Sequence, residues 1–203
     1  MARYSAEHKE ATRRRMVETA GRRFKSDGID GSGIATLVAD AGLTNGAFYG
    51  HFASKDELVA TVVAQQLEDQ VAAVNALPAG LESVEGFLRW YLSPDHRDDL
   101  AGGCPSAALL DEIGRCDVMV REAYTVGAEA MVTAISRHLD DGDPQRTRQR
   151  ALGLFTMLVG SLQAARAVTD PELSDQFLAA AYANAMTIAT APLPPAAPTG
   201  QDS

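Results

Sequence analysis

Between Ile34 and Phe52 the chain has to reverse direction within a few residues. Ile34, Leu37 and Val38 set an apolar stripe at helical spacing on one side of Ala41-Gly42-Leu43, and Phe48 and Phe52 set one on the other. Two helices of about two turns each, joined by a short turn containing glycine, make a helix-turn-helix. Gly42 stands at the reversal, where a Cβ would strain a left-handed backbone. So small a unit must bury its apolar residues against a third helix. The segment from about Ser5 to Ser26 supplies it: Met16, Ala20 and Phe24 fall on one stripe, and Asp27-Gly28 ends the run. The pattern predicts a three-helix unit that presents its last helix outward.

The rest of the chain also reads as helix, because Val, Ile and Thr never alternate with polar residues over a strand length. Ser32 is expected to cap the second helix and Thr44 the third. Ser54 followed by Glu57 is a capping box that opens a long helix to about Leu77, where Pro78 and Gly80 stop it. Further helices are expected at about 82–92, 105–114, 117–140, 144–169 and 172–190, with a polar loop at 93–103. The fold class is therefore all-α, with about nine helices. Residues 1–53 are expected to form the helix-turn-helix domain and 54–190 a larger helical domain. The Pro/Ala-rich segment 191–203 is expected to be a disordered tail.

At 46% hydrophobic residues the chain has enough apolar material for a core. The net charge of −9 conceals an asymmetry: residues 1–55 carry nine Lys/Arg and six Asp/Glu, so the excess of acid lies entirely in residues 56–203. A basic end on an acidic chain is the asymmetry expected when one end faces phosphates, and a solvated basic first helix gives the same asymmetry, so charge alone does not decide. The polar, basic N-terminus has no apolar stretch of a signal peptide behind it. The uncharged run 151–165 is shorter than the roughly 20 residues that span a bilayer. Two cysteines, Cys104 and Cys116, make neither a disulfide framework nor a zinc spacing. A cytoplasmic protein without membrane contact, cofactor or metal is expected. Nucleophile elbow, phosphate loop, HExxH and dinucleotide fingerprint are all missing from the sequence, so no enzyme activity is expected. His96 among Asp95, Asp98 and Asp99 reads as part of a solvated acidic loop rather than a metal site.

The outward face of the third helix is built from Thr44, Asn45, Gly46, Ala47, Tyr49, Gly50 and His51. Thr44 suits a phosphate, and Asn45 can bond adenine bidentately. Ala47 can touch a thymine methyl, and Gly46 allows close backbone approach. Tyr49 and His51 can donate to phosphate oxygens, and Lys55 adds a cation at the start of the next helix. These types, on that turn, point to double-stranded DNA.

The run AGLTNGAFYGHFASKDEL resembles the TetR/AcrR family of bacterial regulators. The family pattern falls on Gly42, Thr44, Phe48-Tyr49, His51-Phe52 and Ser54-Lys55-Asp56-Glu57-Leu58. The resemblance implies phosphate contacts from Thr44, Tyr49, His51 and Lys55 and base contacts from Asn45, Gly46 and Ala47. It also implies a homodimer on a two-fold symmetric operator, and repression relieved by a small-molecule inducer. Gly50 departs from the pattern, since the family often has a larger residue there. Glycine weakens helix propensity by about 1 kcal/mol relative to alanine.

In the second domain Phe87, Trp90 and Tyr91 share one helix face, and Leu109, Met119, Tyr124, Phe155 and Leu158 can converge on it from other helices. Such a set fits an apolar or aromatic ligand site; the same residues also fit ordinary core packing. Cys104 precedes Pro105 at a helix start, where a thiol can become reactive, so a thiol-based redox or electrophile sensor is the alternative function. Gly153, Gly160 and Ala167 recur every seven residues. With Ala164, and with Phe177 and Ala181 on the last helix, they are expected to form a dimer interface as half of a four-helix bundle.

Overall fold

The computed structural model describes residues 2–139 and 142–190. The expected tail and the expected break at Asp140-Asp141 lie outside the described residues. Ten α-helices and no strand occur among them: α1 (Ala2–Asp27), α2 (Ile34–Asp40), α3 (Asn45–Tyr49), α4 (Lys55–Asn75), α5 (Leu81–Tyr91), α6 (Pro94–Asp98), α7 (Pro105–Arg115), α8 (Val118–His138), α9 (Pro144–Ala167) and α10 (Pro171–Thr190).

The extra helix is α6, in the segment expected to be a loop. Ser93 accepts from the His96 amide at 3.2 Å, and Pro94 sits where its missing N–H is not needed. A second correction concerns Ser32. Gly33 occupies the cap position of α2, while the Ser32 hydroxyl is fully buried and donates to the Gly28 carbonyl at 2.8 Å. Closing that turn takes the hydroxyl away from the helix end. Ser54 does cap α4, accepting from the Glu57 amide at 3.1 Å, and the Glu57 carboxylate reaches back to the Ala53 amide at 2.6 Å.

Two apolar clusters organise these helices. The first joins Phe24 of α1, Leu37 and Val38 of α2, Phe48 and Phe52 to Leu58–Leu67 of α4, and is closed by Leu109 and Ile113 of α7 and Val120 of α8. The second gathers α5, the C-terminal parts of α4 and α8, and α9 with α10. The long α4 runs through both. Its tightest partner is α8, which comes so close at Gly127 that a Cβ there would collide with the Leu67 side chain. No described helix is long and apolar enough to cross a membrane.

Candidate functional site

Gly42 takes φ +67, confirming a left-handed turn, and the Leu43 amide bonds back to the Val38 carbonyl at 2.8 Å. The chain then enters α3 through Thr44, whose side chain makes no capping bond. Phe48 is buried beneath α3 and packs on Phe52 at 5.8 Å between ring centroids. Tyr49 stands edge-on against Phe48 at 5.1 Å and is 65% exposed. Asn45 and Gly46 are exposed beside it, with Ala47 half-buried. The helix is shorter than the sequence suggests: α3 ends at Tyr49 and Gly50 follows in an ordinary right-handed conformation. A final turn persists, because the Phe52 amide still reaches the Phe48 carbonyl at 3.0 Å.

Two residues expected on this face stand differently. His51 is turned into the groove between α1 and α4, together with Lys9, Arg13 and Arg14. Its Nδ1 is buried without a partner, and burial followed by the charges of Lys9 and Arg13 lowers its pKa. The ring is therefore neutral near pH 7 and retains one N–H to donate. Lys55 donates from Nζ to the Ile29 carbonyl at 2.5 Å, which holds the α1–α2 turn against α4. The same turn is gripped from α7, where Glu112 Oε2 accepts from the Ile29 amide at 2.8 Å and the Asp30 amide at 3.2 Å. Ile29 is thus held at both its N–H and its carbonyl. Neither grip was readable from sequence, because Glu112 lies 83 residues away. Arg13, whose guanidinium lies 4.7 Å over the Phe52 ring, ties α1 to the end of the motif.

The second cluster encloses a cavity of about 320 Å³. Phe87, Trp90 and Tyr91 of α5 and Phe155 and Leu158 of α9 form much of its wall, with Val74 of α4 and Met131 and Ile135 of α8. Leu109, Met119 and Tyr124 do not share it. Leu109 is spent on the first cluster, Met119 is 47% exposed at the start of α8, and Tyr124 bonds Ser106 at 3.2 Å beside the first cluster. Two residues that the apolar pattern could not flag line the cavity instead: Gln70 and Cys104. Among the described residues, no charged side chain is on its wall.

Cys104 is 2% exposed and sits at the N-cap of α7, its Sγ 3.8 Å from Gln70 Oε1. The surroundings are more cationic than the sequence neighbours imply. Lys25 of α1 donates to the adjoining Gly103 carbonyl at 2.9 Å. Burial lowers the pKa of Lys25. It raises that of Tyr91 well above the usual phenol value, with the Cys104 thiol adding to the rise. His96 corrects the expectation of a solvated loop: it is buried, bonds the Tyr91 carbonyl through Nδ1 at 2.7 Å, and accepts the Cys104 amide through Nε2 at 3.1 Å. Both ring nitrogens are committed to backbone, and burial lowers its pKa. Trp90 stacks on its ring at 4.8 Å.

On α9 and α10, Gly160, Ala167 and Phe177 are exposed, and Gly153 and Ala164 are half-buried. A Cβ at Gly153 or Gly160 would meet no described atom within 4 Å, so the stripe is clear at these two positions. Ala181 is the exception to the expected interface: it is buried in the second cluster, on the inward side of α10.

Residues 17–62 match the sequence family described as bacterial regulatory proteins, tetR family. Among solved structures the chain is similar to E. coli NemR in its reduced form, with a TM-score of 0.74 at 19% identity over 86% of this chain and 95% of that one. It is similar to a TetR-family transcriptional regulator from Agrobacterium tumefaciens, with a TM-score of 0.71 at 18% identity over 87% and 98%. It is also similar to SCO4454, a TetR-family transcriptional regulator from Streptomyces coelicolor, with a TM-score of 0.64 at 23% identity over 86% and 94%. No curated protein sequence matches the chain significantly.

Proposed function

We propose that this chain, a DNA-binding transcriptional regulator whose residues 17–62 form a TetR-family domain, acts as a repressor that a small apolar or aromatic ligand releases from its operator. The observation that carries the proposal is the pairing of an outward α3 with an apolar cavity in one helical framework. Asn45, Gly46 and Ala47 meet base edges, Thr44, Tyr49 and His51 meet phosphates, and Lys55 adds its remaining protons to the same backbone. Two copies joined along Gly153, Gly160, Ala164, Ala167 and Phe177 place two α3 helices on half-sites about one helical turn apart, or a small multiple of that. The Lys25–Gly103 and Glu112–Ile29 contacts favour communication between the two sites, since the first ties α1 to the residue before Cys104 on the cavity wall and the second ties the α1–α2 turn to α7.

A second reading rests on Cys104 lining the cavity at the start of α7, next to the Gly103 carbonyl that Lys25 binds. On it, the Cys104 sulfur gives up its proton to solvent and attacks an electrophile or oxidant that enters the cavity, and the modified side chain triggers release. A Cys104→Ser variant that still responds to electrophiles as the parent does would remove this reading.

Selection of bound DNA from random oligonucleotides tests the first. The expected result is a palindrome whose affinity falls steeply with salt as phosphate contacts release counterions. Purified protein that ignores every duplex at low ionic strength would end the proposal.

A further inference from the structure

We infer that the cavity takes an uncharged, flat aromatic compound bearing one hydrogen-bond acceptor, and that Gln70 is the residue that recognises the acceptor. The inference rests on the reading of the cavity as a ligand site. Three observations carry it.

The first is charge. With no charged side chain on the wall among the described residues, an ionised ligand would give up its hydration without a partner there. The second is shape. Phe87, Trp90, Tyr91 and Phe155 bring four rings to a space at the small end of ligand-site volumes, which suits a compound of about two or three rings. Edge and offset contacts between rings favour a flat aromatic over a branched aliphatic of equal size.

The third is the polar spot. Gln70 is the one amide side chain on the wall, which also carries the Cys104 thiol, the Trp90 indole and the Tyr91 hydroxyl, and only the amide offers two N–H donors from one group. Its Oε1 already accepts from the thiol, while its two amide hydrogens have no protein acceptor. A half-buried amide with open donors favours a ligand that presents a carbonyl or similar oxygen to them. A site arranged to hydrogen-bond its ligand discriminates against an analogue that lacks the group.

The test uses three matched probes, 2-acetylnaphthalene, 2-ethylnaphthalene and 2-naphthoate, read by quenching of Trp90, the only tryptophan in the chain. The intact protein is expected to bind the acetyl compound about tenfold tighter than the ethyl compound, and the carboxylate more weakly than either. Gln70→Leu should erase the acetyl preference while keeping the ethyl compound. Gln70→Glu, which loses the donors but keeps an acceptor for the thiol, should erase it too. Operator binding in each variant reports that the fold is intact. Tightest binding by 2-naphthoate, an acetyl preference that survives both substitutions, or binding of none of the three overturns the inference. Probe binding as expected, without any loss of operator affinity, overturns the inducer reading of the molecule and leaves the recognition by Gln70 standing.

Discussion

Phe24, Phe48 and Phe52 are each at most 1% exposed and interlock with α4 and α7 at the reading end, whereas Phe87, Trp90 and Phe155 stand around open space at the other end. Both regions are helical and apolar, and both use aromatic residues at helical spacing. They differ in what fills the middle. A filled core holds α3 in one position, which register on DNA demands. An unfilled one forgoes packing contacts among its own side chains and leaves room for a guest. The contrast shows how one chain can combine a rigid reader with an adaptable receptor.

Equal truncations at the two ends should therefore have unequal effects. Phe48→Ala is expected to destabilise by about 3–5 kcal/mol in urea denaturation, and Phe155→Ala by about 1 kcal/mol because its site already borders a void. Similar losses for both would break the comparison. Additions sharpen it from the other side. Gly127→Leu should lower stability by about 1–3 kcal/mol, since Leu67 stands in the way. At the cavity, Gly86→Leu has open space and should leave stability unchanged or raise it by about 0.5 kcal/mol, through helix propensity, while blocking probe quenching of Trp90.

Smaller effects separate function from packing at the reading end. Tyr49→Phe removes a hydroxyl without touching the core, so operator affinity should drop about 3- to 10-fold with the melting temperature unchanged. Lys55→Ala should lower both, because its ammonium also holds the Ile29 carbonyl, and the salt dependence should lose about one phosphate's share. An unaltered melting temperature for Lys55→Ala would dissociate that lysine from the turn.

The smallest effect concerns the wall behind the cavity. His96 has its pKa lowered by burial, so the unfolded chain binds a proton there that the folded chain refuses. Stability then rises with pH through the window below the unfolded value of about 6.5 and is lost as pH falls through it. His96→Gln should show a smaller drop in urea midpoint between pH 7.5 and 5.5 than the parent. An equal drop would place the titration elsewhere.

Much of the reading end was legible because its determinants are local. The Gly42 turn, the Ser54–Glu57 cap and the spacing of Phe48 and Phe52 act within a few residues, where chain geometry decides the outcome. The cavity was half legible. Aromatic spacing on α5 picked out Phe87, Trp90 and Tyr91, but the same apolar signal wrongly gathered Leu109, Met119 and Tyr124. Hydrophobicity tells which residues leave water and not which neighbours they find. Gln70, polar on a long helix, gave no signal at all.

The sequence by itself determined the helical class, the turn chemistry and the residue types offered to DNA, since these follow from backbone preferences and periodicity over short spans. Only the tertiary structure decided that Lys55 and Glu112 grip one turn from two sides, that His96 is buried, and that Cys104 shares a cavity with Gln70. Such contacts join residues as much as 83 positions apart. Their pairing is set by how whole helices cross and fill space, which no local pattern encodes.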